Sequence, residues 1–495
     1  MIKITISYTQ FSKKCPAGLD GQTFLWYDLP LNKKYIFGGN FMSKSYDLLL
    51  SKQDVCTAFV NTLKQFFTNN TEAVQTQLIM FCTSIFMLNC VKPIRYMYEH
   101  CIKEFVQIHL NNFYKALNNQ SSQSFWVHTL IQLVIKIIPP SLIDMPIYLI
   151  IDDTLTEKYG QHFEDVALLF DHCARNGTNY LNGHCFVTLV IAVPVLINGN
   201  IHYIKIPIEH RLWVPKKQRT TVQDENNKLE LAKAMIEAII QEIGMDRKFI
   251  ILADAWYAKD PLTELVDRKD VRIGMLCAAR VDSKLFGLPK EYCGKGRRPK
   301  YGTVINIKQL AFVDIPSKGY RACHVKGKAR IFGDREVSIY VTNKNGSYRV
   351  FICTDPSLIV GMDPTIIHSK SQNLLTFLRH NKEYLPLIAY DFRWSIEVIY
   401  NEQKTNWGLQ DYRLRSENGF TTLVNLTSLM YAITSILPYI DAQFETCEKL
   451  SIQGRRSWIG KALSKKLVLS TFVSQCVSAK NYDDIYNVYS NFKLN

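Results

Sequence analysis

Two kinds of hydrophobic pattern divide the chain. From about residue 45 to 140, apolar residues recur at helical spacing, as in VCTAFVNTLKQFF and QTQLIMFCTSIFML, and Pro139-Pro140 closes this region. Beyond it, short continuous apolar runs take over. PIYLIID (146–152) reads as a buried strand ending in carboxylates. GHCFVTLVIAVPVLI (183–197) and HYIKIPIEH (202–210) read as two more strands, with Gly199-Asn200 marking the turn between them. An amphipathic helix is predicted over 224–243, with Leu229, Ala232, Ile236, Ile239 and Ile243 on one face and Gly244 placed as a C-cap. FIILADA (249–255) and RIGMLCAARV (272–281) follow as further strands.

Three strands, a helix and then strands again is the order of an RNase H-like (retroviral integrase-like) α/β core. Residues 282–365 break the alternation: TVINI, REVSIYVT and YRVFICT sit between Gly- and Lys-rich turns and predict a β-rich insertion. Helical pattern resumes near 370. The expected organisation is an irregular extension over 1–44 and a helical, DNA-binding type of domain over 45–145. The first part of the core spans 146–281, the basic insertion 282–365, the C-terminal helices of the core 366–445 and a basic tail 446–495. The stretch before Met42 lacks a clear period, so the translation start can be placed at Met1 or at Met42.

Composition sharpens the picture. In 495 residues, hydrophobic positions make up 47% and charged positions 21%, which suits globular domains and excludes a disordered chain. Lys+Arg exceed Asp+Glu by 59 − 44 = 15, which favours a polyanionic partner. The excess concentrates in 290–330, where eleven Lys/Arg face two acids, and GKGRRPKYG (294–302) places Arg297, Arg298 and Lys300 in one loop. No apolar run reaches the ~18 residues of a membrane helix, and no signal peptide is visible, so no membrane partner is expected. The 13 cysteines form neither C-x-x-C pairs nor zinc-spaced sets, and they predict reduced thiols in a cytoplasmic protein.

Candidate chemistry sits at the strand ends. Asp152 in LIIDDT and Asp254 in ILADAW each follow an apolar strand, where a rigid frame holds a carboxylate. A strand-terminating turn former explains either one alone. If they converge, they repel, and a divalent cation relieves the repulsion; oxygen ligands favour Mg²⁺ or Mn²⁺. The sharper element is YDFRWSIEVIYNEQK (390–404). Tyr390, Arg393, Glu397 and Lys404 are spaced by 3, 4 and 7, so on a helix they fall within about 60° of one another. One face then carries a third carboxylate beside a fork-shaped cation and a point-charge cation, both suited to phosphate. An exposed helix with an Arg393–Glu397 ion pair is the plainer alternative.

Tyr-x2-Arg-x3-Glu-x6-Lys resembles the signature of bacterial insertion-sequence transposases of the DDE type, of the fourth insertion-sequence family. LIIDDT and LADAWY resemble that family's first and second aspartate blocks, and GLPKEYCGKGRRPKYG sits where related transposases place a basic loop. The resemblance covers about 146–430. It implies that Asp152, Asp254 and Glu397 form the catalytic, metal-binding triad, with two Mg²⁺ (or Mn²⁺) ions supporting in-line attack at phosphorus. Asp152 is preferred to Asp153 because Thr154 follows it at two positions, as in the family's block. Tyr390, Arg393 and Lys404 are then phosphate contacts, joined by Arg297, Arg298 and Lys300. The implied partners are double-stranded DNA, as terminal inverted repeats and target, and a second copy of the chain in the DNA complex. Related enzymes that make hairpin ends hold a flipped base on an aromatic residue, often a Trp of the insertion. No Trp lies between Trp256 and Trp394, which leaves Tyr320, Tyr340, Tyr348 or Phe351 for that role.

Other motifs weigh little. His184-Cys185 and Asp171-His172-Cys173 make no spaced metal set, IGKALSKK lacks the phosphate-loop pattern, and HExxH and GxSxG are absent. An RNase H-like nuclease or resolvase, and a silent transposase-derived DNA-binding protein, are the alternative readings.

Overall fold

A computed structural model describes residues 54–486, apart from 89–92, 105, 107, 121–122, 161, 172–176, 178, 217–226, 292–296, 368–370, 479–482 and 485. The expected extension over 1–44, the Met42 start, His172, Cys173 and residues 294–296 of the basic loop lie outside the described residues.

One mixed sheet organises the chain. Its centre is strand β1 (Ile147–Glu157), buried on both faces over its first five residues. On one side β1 pairs antiparallel with β3 (Tyr180–Ile197), which pairs antiparallel with β4 (Asn200–Trp213). On the other side β1 pairs parallel with β5 (Lys248–Ala253), and β5 pairs parallel with β6 (Arg272–Ala279). The spatial order β4-β3-β1-β5-β6 with a helix between β4 and β5 is an RNase H-like core. A short edge strand, β2 (Ala167–Phe170), pairs with the start of β3.

Local chemistry sets the connections. β3 and β4 join through Asn198-Gly199, both at positive φ (50° and 76°), which matches the type I′ hairpin. The turn is thus centred one residue before the expected Gly199-Asn200. The helix before β5 spans Lys228–Ile243, and Asn227 caps it by accepting from the backbone N–H groups of Leu229 (2.8 Å) and Glu230 (3.0 Å). Ala232, Met235, Ile236, Ile239 and Ile240 form its buried stripe. Gly244 ends it at φ 115°.

The β-rich region is part of this sheet. Strands β7 (Leu285–Phe286), β8 (Val313–Ile315), β9 (Tyr320–Ala329), β10 (Glu336–Lys344) and β11 (Ser347–Cys353) follow in the chain. β11 pairs antiparallel with β6, so the core sheet runs on through β10 and β9 to β7. TVINI contributes one isolated bridge, Val304 to Phe286, and no full strand.

Helices cover the sheet at both ends of the sequence. Those at Val55–Phe66, Glu72–Met87, Ile94–His100, Leu110–Asn118 and Gln123–Ile137 come first. Glu417–Ile440 is apolar all round and is long and apolar enough to cross a membrane, yet 89% of that window is buried inside the protein. It packs on β4 and on Gln123–Ile137 as the central core helix. The segment expected as a basic tail is built around the helix Ile452–Ser478. That helix packs on Glu72–Met87, and one buried apolar cluster runs from Cys56 to Leu463, so the N-terminal helices share their core with the C-terminal part of the chain.

Two arginines of this last helix are interior. Arg456, 1% exposed, donates to the carbonyls of Ile85 (3.0 Å) and Leu88 (3.0 Å) at the end of one helix and of Asn406 at the end of another. These carbonyls have no intrahelical partner, and a cation there also meets the negative ends of both helices. Arg455 donates to the carbonyls of Ser435 (2.9 Å) and Glu448 (2.6 Å) and reaches that of Thr434 (3.5 Å). Pro438 within Glu417–Ile440 has no N–H to offer Thr434, which explains the need.

The same contact explains Gly460. A Cβ at Gly460 would collide with the carbonyl oxygen of Phe86. In an exposed helix, Gly→Ala stabilises by about 1 kcal/mol; here we predict the opposite sign. Gly460→Ala should lower stability by about 1–3 kcal/mol, because the two helices must separate. Chemical denaturation of the variant beside the wild type checks this, and an unchanged or raised midpoint would contradict the packing argument.

Candidate active site

Register alone brings the two aspartates together. Ile150 of β1 pairs with Leu252 of β5 in parallel, and Asp152 and Asp254 each lie two residues farther on. They therefore stand at one height at the same edge of the sheet. Asp254 follows the last residue of β5 and closes a turn, its Oδ1 accepting from the N–H groups of Trp256 (2.9 Å) and Tyr257 (3.0 Å). The turn-forming reading of Asp254 is thus correct as far as it goes. Asp152 is instead inside β1, because β3 keeps pairing with β1 as far as Glu157.

Strand alternation separates Asp152 from Asp153. Asp153 is held by Lys228 Nζ (2.7 Å), by the hydroxyl of Tyr257 (3.0 Å) and by the Cys185 thiol (3.3 Å). Asp152 faces the helix that carries Glu397. The guanidinium of Arg393 donates to Asp152 Oδ2 through Nη2 (2.7 Å) and to Glu397 Oε1 through Nη1. The side chains of Asp152 and Arg393 are 16% and 15% exposed, against 35% for Glu397. Burial pushes the Asp152 carboxyl up to about 7 against the pull of Arg393, and the nearby charges of Asp153 and Asp254 add to the rise.

The Tyr390–Lys404 segment is helical throughout but changes pitch. Tyr390–Trp394 form a 3₁₀ turn and Ser395–Asn406 an α-helix. Tyr390, Arg393 and Lys404 bond to β1 or to the last residue of β5, and Arg393 brings in Glu397. Tyr390 donates its hydroxyl to the carbonyl of Ala253, the residue before Asp254 (3.1 Å). Lys404 donates to the carbonyl of Leu155 (2.9 Å). Tyr400, which the sequence reading passed over, donates to the carbonyl of Asp152 itself (3.0 Å). It lies three residues after Glu397 and four before Lys404, so the same helical spacing could have found it. Lys228, Cys185 and Tyr257 were also missed, and only the tertiary fold shows them.

The loop after this helix is locked to β1 by a buried polar network. His184 Nε2 meets the carbonyl of Glu164 (2.8 Å) and its Nδ1 meets the Tyr412 hydroxyl (2.7 Å). A carbonyl only accepts, so Nε2 carries the proton and Nδ1 accepts from Tyr412. The Tyr412 oxygen then accepts from Thr156 of β1 (2.8 Å). Burial pushes His184 down to about 4, which keeps it neutral, as this chain of bonds requires. Lys158 donates to the carbonyl of Gln410 (2.7 Å) and lies 3.2 Å from the Tyr412 ring centre. The helix bearing Glu397 is thus fastened to β1 along its length and beyond its end.

The basic loop is a separate feature. Gly302 donates to the carbonyl of Gly287 (3.0 Å) and Gly287 to that of Thr303 (2.8 Å), which closes a neck at the base of residues 288–301. A Cβ on Gly302 would collide with the carbonyl of Leu288. Arg297, Arg298 and Lys300 are exposed on this loop, and Lys300 pairs with Asp334 (3.2 Å). No described contact joins them to the carboxylates. Of the aromatics considered for stacking a base, Tyr340 and Phe351 are buried, Tyr340 against His324, while Tyr320 and Tyr348 are half-buried.

As donors, Asp152, Asp254 and Glu397 suit Mg²⁺ or Mn²⁺: they are oxygen-only and mutually repulsive. Among the described residues, no three His, Cys, Asp or Glu groups are drawn close enough to hold a metal ion with the side chains as they stand. Arg393 is what lies between Asp152 and Glu397.

Residues 107–328 match the model of a family described as DDE superfamily endonuclease. That span contains Asp152, Asp254 and the basic loop, and ends before Glu397. A comparison with curated proteins finds no match. Among solved structures, the piggyBac transposase, in the cryo-EM structure of its synaptic complex with hairpin DNA, aligns over 90% of this chain and 84% of that one. The identity is 10% and the TM-score 0.42. Over 107–328 the chain is similar to DDE superfamily endonucleases, and it carries the RNase H-like core.

The Lys158 network makes a pH prediction. Burial pushes Lys158 down to about 7 from 10.5. Between those values the unfolded chain holds a proton that the folded chain has released, so stability rises with pH across this window and is lowest below it. Lys158→Met should flatten that rise. Denaturation midpoints of wild type and variant at both ends of the window test this; parallel pH profiles would refute it.

Proposed function

We propose that the chain is a DNA transposase that uses Asp152, Asp254 and Glu397 to cut and transfer DNA strands by metal-dependent, in-line displacement at phosphorus. One observation carries the reading: two carboxylates at one edge of an RNase H-like sheet meet a third on a helix, and Arg393 binds the first and third together. The order strand, strand, helix is that of DDE endonucleases, and the match over 107–328, which takes in the strands of Asp152 and Asp254 and stops short of the helix, agrees with the first two parts of it.

Asp152, Asp254 and Glu397 would hold Mg²⁺ or Mn²⁺, two ions in the reading of the family. When bound, such ions lower the pKa of the attacking hydroxyl and stabilise the leaving oxygen. The chain's own contribution is rigidity and grip. Tyr390, Tyr400 and Lys404 bind strand-end carbonyls, so Glu397 cannot drift from Asp152. The fully buried strand segments under Asp152 and Asp254 supply the frame. The exposed loop with Arg297, Arg298 and Lys300 supplies positive charge for the DNA backbone. Attack by water would free a 3′-OH at the end of the element, and that hydroxyl would attack the target. Two element ends call for two active sites, so a homodimer on DNA belongs to the proposal.

The decisive measurement is nicking of DNA bearing the element's terminal inverted repeats, with Mg²⁺ or Mn²⁺. Asp152→Ala, Asp254→Ala and Glu397→Ala should each lower the rate on the order of 10³-fold or more, since loss of a ligand forfeits several kcal/mol of charge stabilisation. Normal cleavage by Glu397→Ala would sink the proposal. Strand transfer into a plasmid separates a transposase from a nuclease, which would stop at hydrolysis.

A second prediction concerns the loop. Replacing Arg297, Arg298 and Lys300 by Ala should weaken binding of any duplex alike and lower the slope of log affinity against log salt by roughly one per lost phosphate contact. An unchanged slope would remove this loop from the DNA surface.

A further inference from the structure

The active site already contains a cation of its own. Asp152 stands inside a strand and is largely buried, with Asp153 beside it in sequence and Asp254 on the neighbouring strand. Glu397 lies across from it on the helix. Arg393 spans this gap with its two terminal nitrogens, one on each carboxylate. The third nitrogen, Nε, is buried and has no hydrogen-bond partner. The guanidinium therefore spends two of its three nitrogens on the groups that the reading above assigns to the metal, and among the described residues it has no other hydrogen-bond partner.

A guanidinium and a divalent ion cannot both lie between Asp152 and Glu397. We infer that Arg393 competes with the metal for these two carboxylates: it neutralises them in the metal-free protein and must withdraw before both can serve as ligands. This rests on the assignment of Asp152 and Glu397 as metal ligands. Because Arg393 sits one helical turn before Glu397, rotation of its side chain alone frees both carboxylates, with no movement of the strands or of the helix. The withdrawn guanidinium stays beside the site with its donors free for a phosphate, which reconciles the two roles: carboxylate partner in one state, phosphate contact in the other. Its charge lowers the metal affinity of the free protein and thereby guards the site against idle loading.

The test is Mn²⁺ binding by the full chain without DNA, followed by electron paramagnetic resonance of the free ion. Arg393→Gln should bind Mn²⁺ about tenfold more tightly than wild type, and Arg393→Lys should lie between them, since a single ammonium cannot bridge both carboxylates. In the absence of metal, Arg393→Gln should melt at a lower temperature than wild type, and Mn²⁺ should raise its melting temperature more. Equal or weaker Mn²⁺ binding by Arg393→Gln and Arg393→Lys would overturn the competition and make Arg393 an orienting group for the ligands. Should Arg393→Gln fail to fold, Arg393→Lys, which keeps the charge, carries the comparison. Adding Asp152→Asn or Glu397→Gln to Arg393→Gln should abolish the gain in affinity. If the gain persists in both double variants, the ion binds elsewhere, and the assignment of the ligands fails rather than the competition alone.

Discussion

Repulsion between carboxylates is the constraint around which this site is built. The parallel pairing of β1 with β5 leaves no choice about where Asp152 and Asp254 go: register sets them at one height on adjacent strands. Asp153 adds a third negative charge beside them, and the helix adds Glu397. Each of these charges has been given a different remedy. Asp153 takes a lysine, a phenol and a thiol; Asp254 takes two backbone N–H groups; Asp152 and Glu397 share one guanidinium. Asp254 is held by a turn, and Asp153 by a buried phenol and thiol as well as by the lysine. The third remedy is a long side chain that can rotate. The difference sorts the carboxylates into those that hold the frame and those that can change partners.

Holding a helix against strand ends requires that its polar groups find acceptors there, and strand ends offer unpaired carbonyls. The chain uses this repeatedly. Tyr390, Tyr400 and Lys404 each take a carbonyl from β1 or β5: that of the residue before Asp254, that of Asp152 itself and that of Leu155, three residues after Asp152. Such bonds run from side chain to backbone, so they fix the helix to the strand whatever the carboxylates do. A change of partner at Arg393 need not disturb them. The Thr156–Tyr412–His184 chain does the same for the loop beyond the helix, and its direction follows from one carbonyl that can only accept.

Much of this was legible in the sequence where the signal is local. β1, β3, β4, β5 and β6 and the helix before β5 appear as apolar runs or a single amphipathic stripe, and the helical spacing of Tyr390, Arg393, Glu397 and Lys404 needs only their numbers. What depends on distant pairing was not legible. β1 continues past Asp152 to Glu157 because β3 pairs with it there, 26 residues on at the nearest point, Glu157 with Gly183. The β-rich region was legible as strands, but nothing local to 347–353 announces that β11 pairs with β6 and so extends the core sheet. The pairing of Tyr400 with Asp152 crosses 248 positions, and that of Lys228 with Asp153 crosses 75. The hydroxyl and ammonium groups were visible as residues, while the acceptor of Tyr400 is a backbone carbonyl that no pattern marks and that of Lys228 is a carboxylate brought to it only by the fold.

Charge shows the same limit from another side. A surplus of 15 positive charges was read as a surface for a polyanion, and the segment after residue 446 as a basic tail. Arg455 and Arg456 belong to that segment and are buried, spent on carbonyls at helix ends and at the gap left by Pro438. Arg393 is spent on carboxylates. Lys158 and Lys205 are pushed down by burial, to about 7 and about 8, so neither is a dependable full charge. A count of lysines and arginines therefore overstates what faces solvent, and only cations with no interior task can meet a polyanion. Among the described residues Arg297 and Arg298 meet that condition: they stand exposed beyond a neck that the backbone bonds of Gly287 and Gly302 close.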